Sequence, residues 1–236
     1  MIETSDRLIV ALDVQTVVEA QNLIYSLGES VSFFKVGLQL FIGEGPNFVR
    51  ELVASGKRVF LDLKLHDIPN TVAGAVRSAA ELKVDMLTVH AQGGGKMLAA
   101  AADAARDSLK PPLLLGVTVL TSMDGEQLEG TGISRSVEDQ VLKLARLTLD
   151  AGIRGLVTSP REASKVRQTF GSGTTIVCPG VRPVGSASGD QSRTATPSET
   201  IRSGADYVVV GRPISEAAHP ESAAKNIQQE IESVCP

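Results

Sequence analysis

The stretch LDLKLHDIPNTV, residues 61–72, begins as a buried strand yet carries charge at Asp62, Lys64 and Asp67. Side chains alternate across a strand, so Val59, Leu61 and Leu63 point one way while Phe60, Asp62 and Lys64 point the other. An aspartate and a lysine therefore share one face of an otherwise apolar element, and Asp67 follows three residues later. Burying an unpaired charge costs several kcal/mol, so these groups must be paired with each other or with a ligand.

Outward from this strand the same kind of segment recurs. Short runs rich in Val, Ile and Leu fall at 7–13, 33–37, 58–64, 85–90, 113–120, 154–158, 174–178 and 206–211. Helical spacing fills most of the intervals: Val17, Ala20, Leu23, Ile24 and Leu27 form one stripe, and Val137, Val141, Leu142, Ala145 and Leu149 another. Thr16 with Glu19 fits a capping box, and Gly28 and Gly152 stand where helices stop. Eight near-continuous apolar strands separated by helices predict an α/β fold with a parallel sheet closed as a (β/α)8 TIM barrel. The open doubly wound sheet lacks its Gly-x-Gly-x-x-Gly turn after the first strand. A chain of 236 residues suits one such domain over residues 1–236. Two connections are long for a barrel, 121–136 and 183–197. The second, polar and rich in Gly, Ser and Thr, reads as a lid.

Composition narrows the partners. With 23 basic and 27 acidic residues, a net charge of −4, no Trp and 3% aromatics, the chain offers neither the field nor the stacking surface for a nucleic acid polymer. Apolar runs fall short of a membrane span, and the acidic start MIETSD is unlike a secretory signal, which points to the cytoplasm. Cys178 and Cys235 read as two free thiols.

In a barrel of this type the active site lies at the carboxyl ends of the strands. Asp13, Lys35, Asp62 with Lys64, His90, and Thr121 with Ser122 fall at or near the ends of strands one to five. Arg182, in the CPGVRP turn after strand seven, and Gly211 with Arg212 after strand eight fall where these barrels hold phosphate. A structural ion-pair network is the bland alternative for the acidic and basic set. His66, on the opposite face from Lys64, reads as structural, His90 as a barrel-lining residue, and His219 as part of a surface turn. Lys35 and Lys64 oppose a divalent cation at Asp62 and Asp67, so no metal and no cofactor is expected.

The pattern Asp62-x-Lys64-x-x-Asp67-Ile68-Pro69-x-Thr71, with ALD at Asp13, FFKVG, LTS, CPGVRP, GDQSRTATP and VVVGRPI, resembles the orotidine 5'-phosphate decarboxylase family over nearly the whole chain. Related Mg²⁺-dependent sugar-phosphate decarboxylases and synthases share the Asp-x-Lys-x-x-Asp core, but carry a metal-binding glutamate where this chain has Lys35. A silent phosphosugar-binding barrel is the non-enzymatic alternative. The resemblance implies a metal-free decarboxylation of orotidine 5'-monophosphate to uridine 5'-monophosphate, the last step of pyrimidine (UMP) synthesis. It implies that Asp13 and Lys35 bind the ribose, Asp62 lies against the leaving carboxylate and Lys64 protonates C6, with Asp62 and Asp67 orienting it. Asp67 and Thr71 would reach the neighbouring site of a homodimer. Thr121, or Ser122 one residue on, would contact the pyrimidine; Gln191 would bridge pyrimidine and phosphate; Arg182, Gly211 and Arg212 would hold the phosphate.

Overall fold

The computed structural model describes residues 4–183 and 194–235, with side chains from residue 6 onward. Its strands are β1 (Leu8–Ala11), β2 (Phe33–Gly37), β3 (Arg58–Leu65), β4 (Met86–His90), β5 (Leu113–Val117), β6 (Gly155–Val157), β7 (Thr175–Cys178) and β8 (Tyr207–Val210). Each pairs in parallel with the next, and β8 closes on β1, which makes the barrel expected from the eight apolar runs. Around it run α1 (Val17–Leu27), α2 (Leu38–Ala54), α3 (Pro69–Glu81), α4 (Gly94–Arg106), α5 (Gly125–Gly130), α6 (Val137–Asp150), α7 (Pro160–Phe170), α8 (Pro197–Arg202), α9 (Arg212–Ser215) and α10 (Pro220–Glu232).

Local chemistry sets these bounds. Thr16 and Glu19 form the reciprocal capping box at the start of α1, and Gly28 ends it with a positive φ of 56°. α2 breaks at Gly45, ahead of Pro46, because that glycine is far from helical geometry. The connection 121–136 is not all loop: Asp124 accepts from the Gln127 amide and caps the short helix α5. The stripe on α6 is rotated from the expected one. Val141, Leu144, Ala145 and Thr148 are buried, while Leu142 and Leu149 are only half-buried. The proposed lid lies largely in 184–193, outside the described residues; on its flanks Arg182 N donates to Ala195 O.

Strand alternation divides the core into two. Outward side chains such as Val10, Phe34, Leu61 and Leu87 pack under the helices. Inward ones, including Ile9, Phe33, Phe60, Met86, Leu115 and Tyr207, fill the barrel. At the amino-terminal end Phe33 meets Tyr207 edge to face, with centroids 6.0 Å apart, and the Arg58 guanidinium lies 4.1 Å from the Phe33 centroid. The lower barrel is therefore solid, and the polar inward residues are left at the carboxyl end.

Candidate active site

Above that packing opens a cavity of about 1090 Å³, lined by residues from the ends of β1, β2, β3, β5, β6, β7 and β8 and the segments after them. Its charged floor is a chain of alternating sign. Lys35 Nζ lies 2.7 Å from Asp13 Oδ1 and 3.8 Å from Asp62 Oδ2, and Lys64 Nζ lies 2.8 Å from that same Asp62 oxygen. Two carboxylates and two ammonium groups balance, which meets the pairing that burial demands. Burial by itself would raise the Asp62 carboxyl. The charges of Lys35 and Lys64, with hydrogen bonds from Lys64 and Thr88, outweigh it and hold Asp62 below the usual carboxylate value.

The backbone of β3 is deformed to present this pair. Leu61 is in register with Leu87, but Leu65 is already opposite Val89, so extra residues of β3 bulge out of the ladder. Within the bulge Lys64 takes φ 49°, the left-handed region that a residue with a Cβ seldom enters. Its displaced N–H donates to Thr88 Oγ1 at 2.8 Å, and the same hydroxyl donates to Asp62 Oδ1 at 3.0 Å. Thr88 thus fastens both ends of the Asp62–Lys64 unit. The sequence reading missed it, although a threonine at an inward position of β4, between Met86 and His90, was a usable signal.

A second missed residue is Gly37. Its φ and ψ, −94° and −178°, suit any residue. What it supplies is space: a Cβ there would come within 3.1 Å of Lys35 Nζ and 3.3 Å of Asp13 Oδ1.

The structure brings Asp13, Lys35, Asp62, Lys64, Thr121, Ser122, Arg182, Gly211 and Arg212 to one cavity. Asp67 and Thr71 do not line it. Both are exposed, and the Asp67 carboxylate accepts from the Ile68 amide at 2.6 Å. Within one chain Lys64 Nζ pairs with Asp62, and Asp67 is not among its ion-pair partners in the described residues. Gln191 lies outside the described residues. His90, at the end of β4, is not among the residues lining the cavity. The register shift in β3 brings His66 beside it, and the rings stack with centroids 5.3 Å apart. Burial, then the charges of His66 and Lys64, push His90 down to about 4, and its neutral Nδ1 accepts from the Gln92 amide at 3.3 Å. His219 is exposed at the start of α10. Both cysteines are free thiols. Among the described residues no three His, Cys, Asp or Glu side chains converge on a metal-sized space, and no helix is long and apolar enough to cross a membrane.

Comparison with known proteins gives a concordant result. Residues 6–227 match the model of the family described as Orotidine 5'-phosphate decarboxylase / HUMPS. The chain is 50% identical over 235 residues to an orotidine 5'-phosphate decarboxylase of Moorella thermoacetica, covering 97% of this chain and 93% of that one. It is 48% identical over 230 residues to one from Vibrio cholerae, covering 95% and 98%. The crystal structure of orotidine 5'-phosphate decarboxylase from Lactobacillus acidophilus superposes with a TM-score of 0.86 at 35% identity, covering 96% of this chain and 99% of that one.

Proposed function

Because this chain belongs to the Orotidine 5'-phosphate decarboxylase / HUMPS family, we propose that it decarboxylates orotidine 5'-monophosphate to uridine 5'-monophosphate in pyrimidine synthesis, with Lys64 as the proton donor. The observation that carries the residue assignment is the alternating chain Asp13–Lys35–Asp62–Lys64 at the mouth of the barrel. The C6–carboxylate bond breaks, its electron pair stays on C6 in the ring plane, and CO₂ leaves. That carbanion has no adjacent electron sink, so a fixed ammonium is the group that both stabilises and quenches it. Lys64 passes a proton from Nζ to C6 and regains one from water. Asp62 keeps Lys64 charged and aimed, and faces the departing carboxylate.

The remaining roles are those the family resemblance implies, supported for Asp13, Lys35, Thr121, Arg182, Gly211 and Arg212 by their common place in the lining of one cavity. Asp13 and Lys35 bind the ribose hydroxyls and Thr121 the pyrimidine. Arg182, Gly211 and Arg212, after β7 and β8 and beside the short helix α9, hold the phosphate, with Gln191 bridging phosphate and base. Binding energy from the distant phosphate is available to the chemical step. No metal or cofactor is required. Supporting this is the Lys35 ammonium, which already neutralises Asp13 and Asp62 where a divalent cation would need them. The active unit is a homodimer in which Asp67 and Thr71 complete the partner's site. Its support is the exposure of both residues, with Leu38, Ile42 and Ile68 left on the surface near the ends of β2 and β3.

The test is the loss of orotate-ring ultraviolet absorbance when the protein meets orotidine 5'-monophosphate in EDTA, with Lys64→Ala alongside. The expected result is turnover by the natural sequence alone, the variant retaining its circular dichroism. Activity abolished by EDTA would transfer the chain to Mg²⁺-dependent chemistry, and an active Lys64→Ala would remove the proton donor.

A further inference from the structure

The cavity does not end at the phosphate residues. Its lining also takes in an open, largely exposed recess formed by Gln15, Glu19, Asn22 and Ser26 at and before α1, and by Ser215 and Glu216 at the end of α9. Because these residues line the same cavity as Arg182 and Arg212, the cavity is not closed off around a single phosphate.

The restriction lies in charge. None of those recess residues is cationic, and two carry carboxylates. Glu216 follows Arg212 by one turn, its N–H donating to the Arg212 carbonyl at 3.0 Å, so a carboxylate stands next after the phosphate-holding arginine. The start of α1 would ordinarily attract an anion through its unpaired N–H groups. Here carboxylates occupy them: Gln15 N and Thr16 N donate to Glu19 Oε2 at 2.9 and 3.3 Å, and Val17 N donates to Glu44 Oε1 at 3.2 Å. The one feature of the recess suited to a phosphate is thus already filled by negative charge.

Resting on the reading that Arg182 and Arg212 hold a 5'-phosphate, we propose that Glu19 and Glu216 are specificity determinants that admit a nucleoside monophosphate and reject its di- and triphosphate by like-charge repulsion. Rejection by a misplaced charge is as effective a source of selectivity as attraction. It is useful here because the phosphorylated forms of the product share its base and ribose and would otherwise compete for the site.

The experiment measures inhibition of orotidine 5'-monophosphate turnover by UMP and by UDP, in EDTA so that the diphosphate keeps its charge. Natural protein is compared with Glu216→Gln, Glu19→Gln and the double variant. Glutamine at position 19 still accepts the capping hydrogen bonds, so α1 keeps its start. The natural protein is expected to favour UMP. The ratio Ki(UDP)/Ki(UMP) should fall about threefold to tenfold for each charge removed, the size of one screened charge–charge interaction in a surface cleft, and less so at high salt. Equal inhibition by the two nucleotides in the natural protein, or a ratio unchanged in the double variant with UMP still competing, overturns the carboxylate assignment alone. Failure of UMP to compete at all overturns the phosphate reading and the inference with it.

Discussion

Thr88 ties the geometry of two charged groups to a single hydroxyl. It accepts from the Lys64 backbone and donates to the Asp62 side chain, so removing it unmoors the backbone and the carboxylate together. Thr88→Val keeps the volume and deletes both bonds. Leaving the Lys64 N–H unpaired in a partly buried place costs about 1–3 kcal/mol, and the larger effect is expected on turnover, because the ammonium is misaimed by fractions of an ångström. Thermal melts and kcat, measured together, separate these. A variant with lowered Tm and unchanged kcat would make Thr88 structural only. The left-handed Lys64 backbone fits the same account, since such a residue persists only where its surroundings hold it.

At the scale of elements, the crowding at the end of β2 makes a sharper prediction. Gly37→Ala needs no change in backbone conformation, but its methyl would press on Lys35 Nζ and Asp13 Oδ1. Activity should fall at least tenfold with Tm nearly unchanged; full activity would mean that the pair yields freely. The junction of β3 and β4 carries a pH signature. In the unfolded chain His90 titrates near 6.5, while in the fold it stays neutral down to about 4. Between those values the unfolded state binds the extra proton, so stability rises with pH across that window and levels off above it. His90→Phe keeps a ring against His66 and should flatten the rise in Tm between pH 4 and 6.5. An equal slope in both proteins would assign it elsewhere. Asp62, held low, adds its own loss of stability at more acidic pH.

These elements also mark how far the sequence could be read. The eight strands were legible because a fully covered parallel sheet needs uninterrupted apolar runs, and the charged strand ends stood out against them. The bulge in β3 was not legible. Nothing in LDLKLHDIP signals a left-handed lysine, because the conformation is imposed by Thr88 and by pairing with β4, both distant in sequence. The stacking of His66 on His90 escaped for the same reason: it follows from the register shift. Gly37 reads as an ordinary strand-end glycine until the Lys35 ammonium is seen beside it. The rotated stripe on α6 reflects a threonine, Thr148, buried through its own hydrogen bond to the Leu144 carbonyl, which hydrophobic periodicity ignores.

At the scale of the whole molecule, the proposed homodimer with shared active sites makes a prediction about mixtures. In that proposed dimer Lys64→Ala damages a chain's own cavity, whereas Asp67→Ala damages the partner's. In a heterodimer of the two variants both lesions fall on one site and the other is intact. Equal mixtures of the inactive variants, unfolded and refolded together, should regain about a quarter of natural activity, because about half the dimers are mixed and each has one good site of two. No recovery, with dimers re-formed, would confine each site to one chain.

The packed floor of Phe33, Tyr207 and Arg58 has a consequence for traffic. Among the described residues the amino-terminal end of the barrel is packed, and the cavity lies at the carboxyl ends of the strands. In the proposed reaction, carbon dioxide formed beside Lys64 cannot drain downward through that packing; it leaves at the carboxyl end of the strands, where the nucleotide enters. On the same proposal, the proton that recharges Lys64 arrives by that route as well. Each cycle therefore runs in order at one opening, with gas and nucleotide out and proton and fresh substrate in.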